Sequence, residues 1–516
     1  MEKYDLVFIG SGISASFTLI NLLSSIDSKA NYPRHIAIIE QSSEFHTGLA
    51  YGPASGDSAL LITALKDFLP ESEEKQQFLE WLNLNKESLI KSLLEDGGEL
   101  SANWVKMHQE DLDLNNIDDV YLPRRFFGKF IHHITTKSID KAKSEFGITI
   151  DLVNAEVETI EKCSNDFKIV LVEEKELMAR KVVLSIGIPP LLELCSEKVK
   201  QKLNEVICFV DNPYQLSLKN NLDKILNHVE AKNNKSNVLI VGSNASAMEM
   251  IYKINDHDKI AKNINHIYVI SPQGQLPNSA QTEETKAITF IPKHLNALQK
   301  KSTIKAEDIY IAASKDLDEA DKLEYGAAIS EVPVSKAFTS LLKYLNPKEL
   351  NAFACHYGNL IGKRQRRAGG HYTAVVEILQ KENKITNVKG YFKEIANFDE
   401  KGVKIRYSET GSDAILESKN SFDIILNCIG GKTLNNNSIS PLIDDLISNK
   451  MIIPNPSFKG VFVDENFTTE SGLFIAGPLL SGNVIAGHPL WHIEHCGRII
   501  MLSKLLSKAI LRRFKE

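Results

Sequence analysis

The chain has 516 residues, a net charge of −6 at pH 7 and a hydrophobic content of 43%. This length predicts two or three domains, and the composition is typical of a globular protein. The slight acidity argues against a nucleic-acid or membrane partner, and no apolar run reaches the roughly 18 residues of a membrane span. Six scattered cysteines without a C-x-x-C pair, and a strand that begins close to Met1 with no room for a signal peptide, predict a cytoplasmic protein.

The first motif is YDLVFIGSGISAS, in which an apolar strand ends on a glycine-rich turn. Glycines in such a turn let the backbone approach a pyrophosphate, and the N-terminus of the following helix offers free N–H groups. A small residue after the turn, here Ala15, allows tight packing of helix on strand. We therefore predict a dinucleotide site with contacts from Gly10, Ser11, Gly12, Ser14 and Ala15.

The next strand, HIAIIEQ, ends on Glu40 and Gln41. Glu40 follows Gly10 by 30 residues, a longer interval than usual because a loop, SIDSKANYPR, intervenes. A carboxylate at this strand end can accept hydrogen bonds from the ribose hydroxyls of an adenosine. Glu40 is therefore the predicted ribose ligand, with Gln41 beside it.

A looser copy of the first motif, NVLIVGSNASAME, begins at Asn237. Asn244 replaces the second glycine, and asparagine tolerates the left-handed backbone better than most residues. The following strand, HIYVISPQG, ends on Ser271 with neither an acid nor an arginine to select NADH or NADPH. The predicted contacts of this second site are Gly242, Asn244, Ala245, Ser246 and Ser271.

The likeness between the two halves extends beyond these turns. ITIDLVNAEVETIE with DFKIVLVE parallels ITNVKGYFKEIANF with GVKIRYSE, and each pair predicts a β-meander followed by a buried strand that ends in glycine. We predict an α/β fold with two Rossmann-like dinucleotide-binding domains in a glutathione-reductase-like arrangement. FAD would occupy the first domain and NADPH or NADH the second.

The FAD-binding domain is predicted to be discontinuous. We place its first part at 1–230 and its closing part at 420–516, with the NAD(P)H-binding domain at 231–419 between them. The polar run NHVEAKNNKSN is the expected linker, and a largely helical insertion is expected at about 275–381.

Several further stretches resemble the bacterial FAD/NAD(P)-binding family related to N-hydroxylating and other class B flavin monooxygenases. They occur in the family's order: TGLAYGPASGDSALLITALKDFLPE, FLEWL, YLPRRFFGKF, FVDNPY, ISPQGQLP, GKRQRRAGGHYTAVVEIL and GLFIAGPLLSGNV. Pro272 and Gln273 depart from the pattern, because family members often carry there an arginine for a 2′-phosphate.

Cofactor contacts are also predicted for Tyr51, Arg124, Val157 and Gly187. Two of these have a structural alternative: Tyr51 is also consistent with a core aromatic, and Arg124 with a surface ion pair. The segment GKRQRR supplies Arg364 and Arg367 as a candidate clamp for a substrate carboxylate or a 2′-phosphate, or simply a solvated helix face.

The C-terminal stretch FIAGPLLSGNVIAGHPLWHIEHCGRIIML is predicted to reach the flavin through Gly477, Asn483 and Val484. Its glycine-rich loop leads into a helix that either directs its N-terminus at the flavin or only closes the domain. We expect this helix to carry His488, His492 and His495 on one face. We interpret them as packing or active-site groups, because no partner of metal-like spacing accompanies them, and predict no metal site.

The resemblance implies a monooxygenase that uses O₂ and N-hydroxylates an amino acid or a small polar amine through a hydroperoxyflavin. An FAD-dependent reductase or dehydrogenase without productive use of O₂ is the first alternative. A non-catalytic FAD/NAD-binding sensor is the second, because the second fingerprint is degraded. A dithiol reductase is disfavoured, since no cysteine precedes Cys163. A homo-oligomer is possible.

Overall fold

The computed structural model describes residues 2–27, 31–215, 217–279, 288–399, 402–493 and 495–515. The strands are β1 Glu2–Ile9, β2 His35–Glu40, β3 Thr149–Asn154, β4 Val157–Cys163, β5 Asp166–Leu171, β6 Glu176–Leu184, β7 Cys208–Val210, β8 Ser236–Val241, β9 Ile264–Ser271, β10 Asn278–Ser279, β11 Arg367–Ala368, β12 Ile385–Asp399, β13 Gly402–Glu409, β14 Ile415–Glu417, β15 Ile424–Asn427, β16 Phe474–Ile475, β17 Asn483–Ile485 and β18 His488–Leu490.

The helices are α1 Ile13–Ser24, α2 Gly48–Tyr51, α3 Leu65–Phe68, α4 Glu73–Asp96, α5 Glu99–Leu114, α6 Arg124–Phe146, α7 Glu197–Val206, α8 Leu218–Glu230, α9 Ala245–Asp256, α10 Asp258–Asn263, α11 Lys293–Leu298, α12 Ala306–Lys322, α13 Gly326–Leu342, α14 Pro347–Ala352, α15 Gly358–Arg364, α16 Gly370–Lys381, α17 Pro441–Ser448 and α18 Cys496–Lys515. Pro53–Ser55 and Gly477–Leu480 form 3₁₀ turns, and Phe353–Tyr357 forms a π-helical turn. Within the described ranges, no helix is both long and apolar enough to cross a membrane.

The first sheet has the strand order β3-β2-β1-β6-β5-β4, with β16 added beside β6. Strands β3, β2, β1, β6 and β16 run parallel, whereas β5 and β4 continue the sheet as an antiparallel meander. The central strand β1 is buried over residues 6–9, as expected of a parallel strand covered on both faces. Helix α1 follows it and packs against α18.

The second sheet has the order β14-β13-β12-β9-β8-β15-β7 and repeats the parallel part of this plan, but its meander extends beyond β9, whereas the first meander extends beyond β6. Here β8 takes the place of β1, with β9 and β15 as its parallel neighbours in the positions of β2 and β6. One difference is that β12 is continuous over 15 residues, pairing first with β9 and then with the meander strand β13. In the first sheet the same role is divided between β3 and β4.

The second sheet takes strands from outside the range predicted for its domain, 231–419. Strand β7 precedes that range and β15 follows it, yet both pair in this sheet. The expected linker is also shorter than its polar composition suggested, because α8 continues to Glu230 and β8 begins at Ser236. The domain bounds therefore stay a prediction. The strands of the second sheet come from residues 208 to 427.

The segment predicted as a helical insertion, about 275–381, contains helices α11 to α16, while its residues 280–287 lie outside the described part. Apolar side chains of α11 to α15 form a core of their own, which includes Leu295, Ile309 and Phe338. Trp491, from the C-terminal segment, packs against this core. The insertion is thereby joined to the end of the chain.

Candidate functional site: two equivalent nucleotide turns

The turns after β1 and β8 have the same backbone geometry. Gly10 has φ +88° and Gly242 has φ +107°, a left-handed region that favours glycine. The Gly10 N–H donates to the carbonyl of Ile39 at 2.8 Å, and the Gly242 N–H donates to that of Ile270 at 2.9 Å. Each turn is thus tied to the end of the neighbouring parallel strand.

Close backbone contact explains why neither position accepts a side chain. A Cβ on Gly10 would lie 2.5 Å from the carbonyl oxygen of Ser185, and one on Gly242 would lie 2.1 Å from that of Cys428. Ser185 and Cys428 follow β6 and β15, at corresponding points of the two sheets. Two residues further on, Gly187 has φ +76° and open space where its side chain would be.

The second position of each fingerprint is extended, with φ −65° at Gly12 and −90° at Asn244. Asn244 therefore does not use the left-handed conformation that asparagine tolerates, because this residue is the N-cap of α9 and needs only an extended backbone. The close approach at Gly12 constrains its neighbour instead: a Cβ on Gly48 would lie 3.0 Å from the Gly12 Cα, whereas a Cβ on Gly12 would lie 3.8 Å from the Gly48 Cα, an ordinary contact. The Asn244 Oδ1 accepts a hydrogen bond from the guanidinium of Arg366.

Glu40 organises the first turn. Its Oε2 accepts from the backbone N–H and the hydroxyl of Ser11, at 2.9 and 3.0 Å. Its Oε1 accepts from the corresponding groups of Ser42, at 3.0 and 3.1 Å. The carboxylate, predicted as a ribose ligand, is thus held by the protein, while Gln41 beside it is exposed.

His46 is a residue of this site that the motif analysis missed. Its backbone N–H donates to the Ser11 hydroxyl, and its carbonyl accepts from the hydroxyl of Ser16 in α1. Its φ is +78°, and its side chain is buried. Burial lowers the pKa of its imidazole to about 4, so the ring is neutral at pH 7. The sequence feature that could have identified His46 is its position directly before the TGLAY motif.

Arg125, the second arginine of the P-R-R motif, fixes the loop that carries His46. Its guanidinium makes two parallel hydrogen bonds to Glu44 and a third to the carbonyl of Tyr51. Burial alone would raise the pKa of Glu44, but the bonds from Arg125 lower it below its usual value. The ring of Tyr51 packs on Phe127, so this predicted cofactor contact lies among core aromatics.

Arg124 lies beside the second nucleotide helix rather than the first. Its guanidinium donates to Glu249 of α9 at 2.7 Å and lies over the ring of Tyr214. Helix α6, which begins at Arg124, therefore connects the two nucleotide units. The remaining residues predicted for the second site are Ala245, Ser246 and Ser271. At the start of α9, Ala245 is exposed and Ser246 is half-buried. At the end of β9, the Ser271 hydroxyl accepts a hydrogen bond from the N–H of Gly274.

Gly477 lies against the first helix, since a Cβ there would be 2.9 Å from the Ser14 hydroxyl oxygen. Ala15, in the same helix, is buried. Val157 is buried at the start of β4. It follows Ala155, whose N–H donates to the carbonyl of Glu40 at 3.0 Å, by two residues. The structure therefore brings Gly477 to the first turn and places the start of β4 close behind the end of β2.

The predicted C-terminal helix is shorter than expected. Helix α18 begins at Cys496, while His488 lies in β18 and His492 in the connection that follows. The expectation that three histidines share one helical face is therefore wrong, because a β-hairpin interrupts the segment. Asn483 shapes this hairpin through hydrogen bonds from its amide to the carbonyls of Val461 and Leu480, and Val484 is half-buried.

The hairpin also touches the helical insertion. The Cys355 thiol, in the π-helical turn, donates to the carbonyl of Gly482 at 3.1 Å. The ring of Trp491 packs edge-on against Phe353, and a Cβ on Gly358 would lie 2.6 Å from this indole. One short segment, 477–491, thus contacts both α1 and the insertion.

The arginines of GKRQRR have separate partners. Arg364 pairs with Asp318 and Asp321 of the insertion, and Arg367 pairs with Glu331 at 2.6 Å. Arg366, which the motif analysis passed over, reaches the second nucleotide turn. The two predicted substrate arginines are therefore held in ion pairs of the insertion.

A group with metal-like geometry lies elsewhere, where ligand atoms of His294, Asp316 and Glu319 approach within 4.8 Å of one another. Asp316 there accepts hydrogen bonds from the backbone N–H groups of His294 and Leu295, at the start of α11. Glu319 pairs with Lys293. Helix capping and a surface ion pair account for the two carboxylates.

Two family models match parts of the chain. Residues 7–189 match an FAD-NAD(P)-binding family, and residues 102–308 match the L-lysine 6-monooxygenase/L-ornithine 5-monooxygenase family. These matches confirm the resemblance inferred from the motifs. They also confirm the predicted cofactors, FAD with NADPH or NADH.

Similar proteins cover nearly the whole chain. An uncharacterized protein of Mycobacterium tuberculosis is 27% identical over 98% of this chain and 95% of its own length. Among solved structures, FAD-bound DfoA of Erwinia amylovora, a cadaverine monooxygenase, has a TM-score of 0.53 at 14% identity, covering 99% of this chain and 95% of its own. Reduced PvdA of Pseudomonas aeruginosa, an ornithine hydroxylase, has a TM-score of 0.50 at 12% identity and 99% coverage of both chains. These likenesses confirm the predicted fold class.

Proposed function

We propose that this FAD- and NAD(P)H-dependent oxidoreductase is a monooxygenase that N-hydroxylates an amino acid or another small polar amine. The observation that carries the reaction class is the match of residues 102–308 to lysine and ornithine monooxygenases. The substrates of DfoA and PvdA, cadaverine and ornithine, point to a primary amine on a short aliphatic chain. The other substrate would be O₂.

The first turn supports FAD binding. Gly10 and Gly12 leave the backbone bare at the start of α1, where the helix N-terminus favours the pyrophosphate. Glu40 and His46 fix the turn through Ser11, so the site is rigid before the cofactor arrives. When bound, FAD supplies the redox chemistry, and the protein supplies position and electrostatics.

The second turn supports binding of the nicotinamide coenzyme. Gly242 packs on the backbone of Cys428 as Gly10 packs on Ser185, so the degraded fingerprint keeps the geometry of a nucleotide turn. The ion pair of half-buried Arg124 with buried Glu249 holds α9 against α6. This contact would keep the nicotinamide coenzyme in a fixed relation to the first unit.

We place the amine pocket where segment 477–491 meets the insertion. This segment contacts α1 beside the first nucleotide turn, and it contacts the insertion through Gly482 and Trp491. The π-helical turn that faces it, 353–357, belongs to a class of distortion often found at functional sites. The indole would exclude water from one side of the pocket.

The test is to purify the protein with its flavin and to follow oxidation of NADPH and NADH in air with a panel of amines: ornithine, lysine, aspartate, cadaverine and putrescine. Hydroxylated product and hydrogen peroxide are measured in parallel. Oxidation that one amine stimulates, with a matching yield of hydroxylamine, supports the proposal. Coenzyme oxidation that yields only peroxide with every amine would instead favour a reductase without productive use of O₂.

A variant of the second turn tests the assignment of the two sites. Gly242→Ala should keep FAD, because the first turn is untouched, but should lose flavin reduction by NAD(P)H. Unchanged reduction kinetics in this variant would contradict a coenzyme site at Gly242. Wild-type flavin that neither coenzyme reduces would favour the binding-protein alternative.

A further inference from the structure

The N-cap of α9 is held by an arginine. Asn244 occupies this N-cap, but its side chain makes no capping bond to the helix. Its Oδ1 accepts instead from the guanidinium of Arg366, which is exposed at the protein surface. The residue that replaces the usual second glycine thus positions a cation beside the second nucleotide turn.

Local chain geometry brings this arginine to the turn. Strand β11, which begins at the next residue, pairs in parallel with β10. Strand β10 follows β9, whose end supplies the loop next to the second turn. The adjoining arginines, Arg364 and Arg367, are directed to acidic residues of the insertion. Arg366 is therefore the arginine of this segment whose guanidinium contacts the second fingerprint.

The electrostatic setting favours an anion. The N-terminus of a helix carries about half a positive charge, and a guanidinium beside it adds to that potential. A phosphate placed there would be attracted by both the helix N-terminus and the guanidinium. Arginine is a suitable phosphate ligand because its planar guanidinium makes paired hydrogen bonds to phosphate oxygens. At the equivalent point of the first turn, Gly12 has no side chain to hold a cation and faces the backbone of Gly48.

We propose that Arg366, positioned by Asn244, binds the pyrophosphate of the nicotinamide coenzyme. The inference rests on the proposed function and adds a ligand to its second site. The pyrophosphate lies at the helix N-terminus in dinucleotide-binding folds, whereas the 2′-phosphate of NADPH lies near the end of the second strand, here Ser271. Because Arg366 contacts the N-cap, it should serve NADH and NADPH alike.

The test measures the affinity of the FAD-loaded protein for NAD⁺ and NADP⁺ by calorimetry, a readout independent of turnover. Arg366→Ala should weaken both by a similar factor, about ten- to a hundredfold for the loss of a charged hydrogen-bond partner. Lys363→Ala removes the same charge from an exposed neighbouring position and should leave both affinities unchanged. Bound FAD, measured by absorbance, should be the same in all three proteins.

Asn244→Gly restores the usual glycine and removes the anchor. It should weaken binding less than Arg366→Ala, and the double variant should match Arg366→Ala alone, because the amide acts through the guanidinium. Weakening of NADP⁺ alone would overturn the proposal in favour of a 2′-phosphate contact. Unchanged affinities in Arg366→Ala would overturn it outright. Wild-type protein that binds neither nucleotide would refute the proposed function itself, and this inference with it.

Discussion

Lys253 and Asp256 form a buried ion pair on α9, with Nζ 2.7 Å from Oδ2 and side-chain exposures of 1% and 0%. The same ammonium donates to the hydroxyl of Ser58, and the carboxylate accepts from the N–H and hydroxyl of Ser101. The pair thus fastens the second nucleotide helix to two segments that precede the first meander. The Lys253–Asp256 pair thus fixes the C-terminal end of α9, and the ion pair of Arg124 with Glu249 fixes its N-terminal half.

Removal of Lys253 should therefore destabilise the whole protein. Lys253→Met leaves the Asp256 carboxylate buried without its cation, and breaking a buried pair in this way costs about 3–5 kcal/mol. The free energy of unfolding, measured by urea denaturation of the FAD-loaded protein, should fall by that amount.

A surface pair on the next helix supplies the control. Lys262 pairs with Asp258 on α10, where both side chains are more than half exposed. Lys262→Met should change the free energy of unfolding by less than about 1 kcal/mol, because solvent screens an exposed pair. Equal effects of the two substitutions would refute the fastening role of Lys253.

Gly10→Ala should abolish retention of FAD. The new Cβ would lie 2.5 Å from the Ser185 carbonyl oxygen at a φ of +88°, so the turn must move to accept it. Gly411 has the same φ with no atom within 4 Å of its absent Cβ, which makes Gly411→Ala a control for backbone strain alone. The flavin-to-protein absorbance ratio after gel filtration should fall for the first variant and stay at the wild-type value for the second.

His46 should make stability depend on pH. Its folded pKa of about 4 lies below the roughly 6.5 of an unfolded histidine, chiefly because of burial. The unfolded chain therefore binds the proton first, and stability present above pH 6.5 is lost as the pH falls toward 4. Between pH 7 and pH 4.5 the loss should be about 2 kcal/mol.

His46→Asn tests this pH dependence, since asparagine tolerates the positive φ at that position. Urea denaturation at pH 7 and pH 4.5 should show a smaller difference for this variant than for the wild type. His133→Asn, which changes an exposed histidine on α6, should leave the difference as it is. An unaltered difference in the His46 variant would mean that this imidazole does not stay neutral in the folded protein.

Trp491→Ala should loosen the helical insertion selectively. The indole packs against Phe338 and Phe353, which belong to the insertion's own core. Hydrogen exchange should become faster in α12 to α15, with an opening free energy lower by about 2 kcal/mol. Trp81→Ala, which removes a tryptophan packed on Phe130 of α6, should not alter exchange in these helices.

The sequence predicted the features set by short-range chemistry. Both nucleotide turns, both meanders and the helical insertion follow from patterns of glycine and apolar residues within a few dozen positions. The role of Asn244 did not follow, because its guanidinium partner stands 122 residues further along the chain. The polar environment of Glu40 did not follow either, because its partner Ser11 lies 29 residues earlier, in the turn after β1.

Errors arose where tertiary structure overrode a local pattern. Histidine spacing at i, i+4 and i+7 favoured a helix over 488–495, yet the hairpin Asn483–Leu490 forms because Asn483 ties it to residue 461. Strand β7 has only three residues, too few for periodicity to indicate, and its place in the second sheet comes from pairing with β15.

The chain enters the second sheet through β7 and leaves it through β15, and these two strands are paired neighbours in parallel register. Entry at Cys208 and exit at Asn427 are therefore separated by about three residues along one strand, on the order of 10 Å. A short peptide could span that gap. The molecule has the layout of one nucleotide-binding module inserted as a cassette into a loop of another, since the strands of the first sheet all come from residues before 208 and after 427.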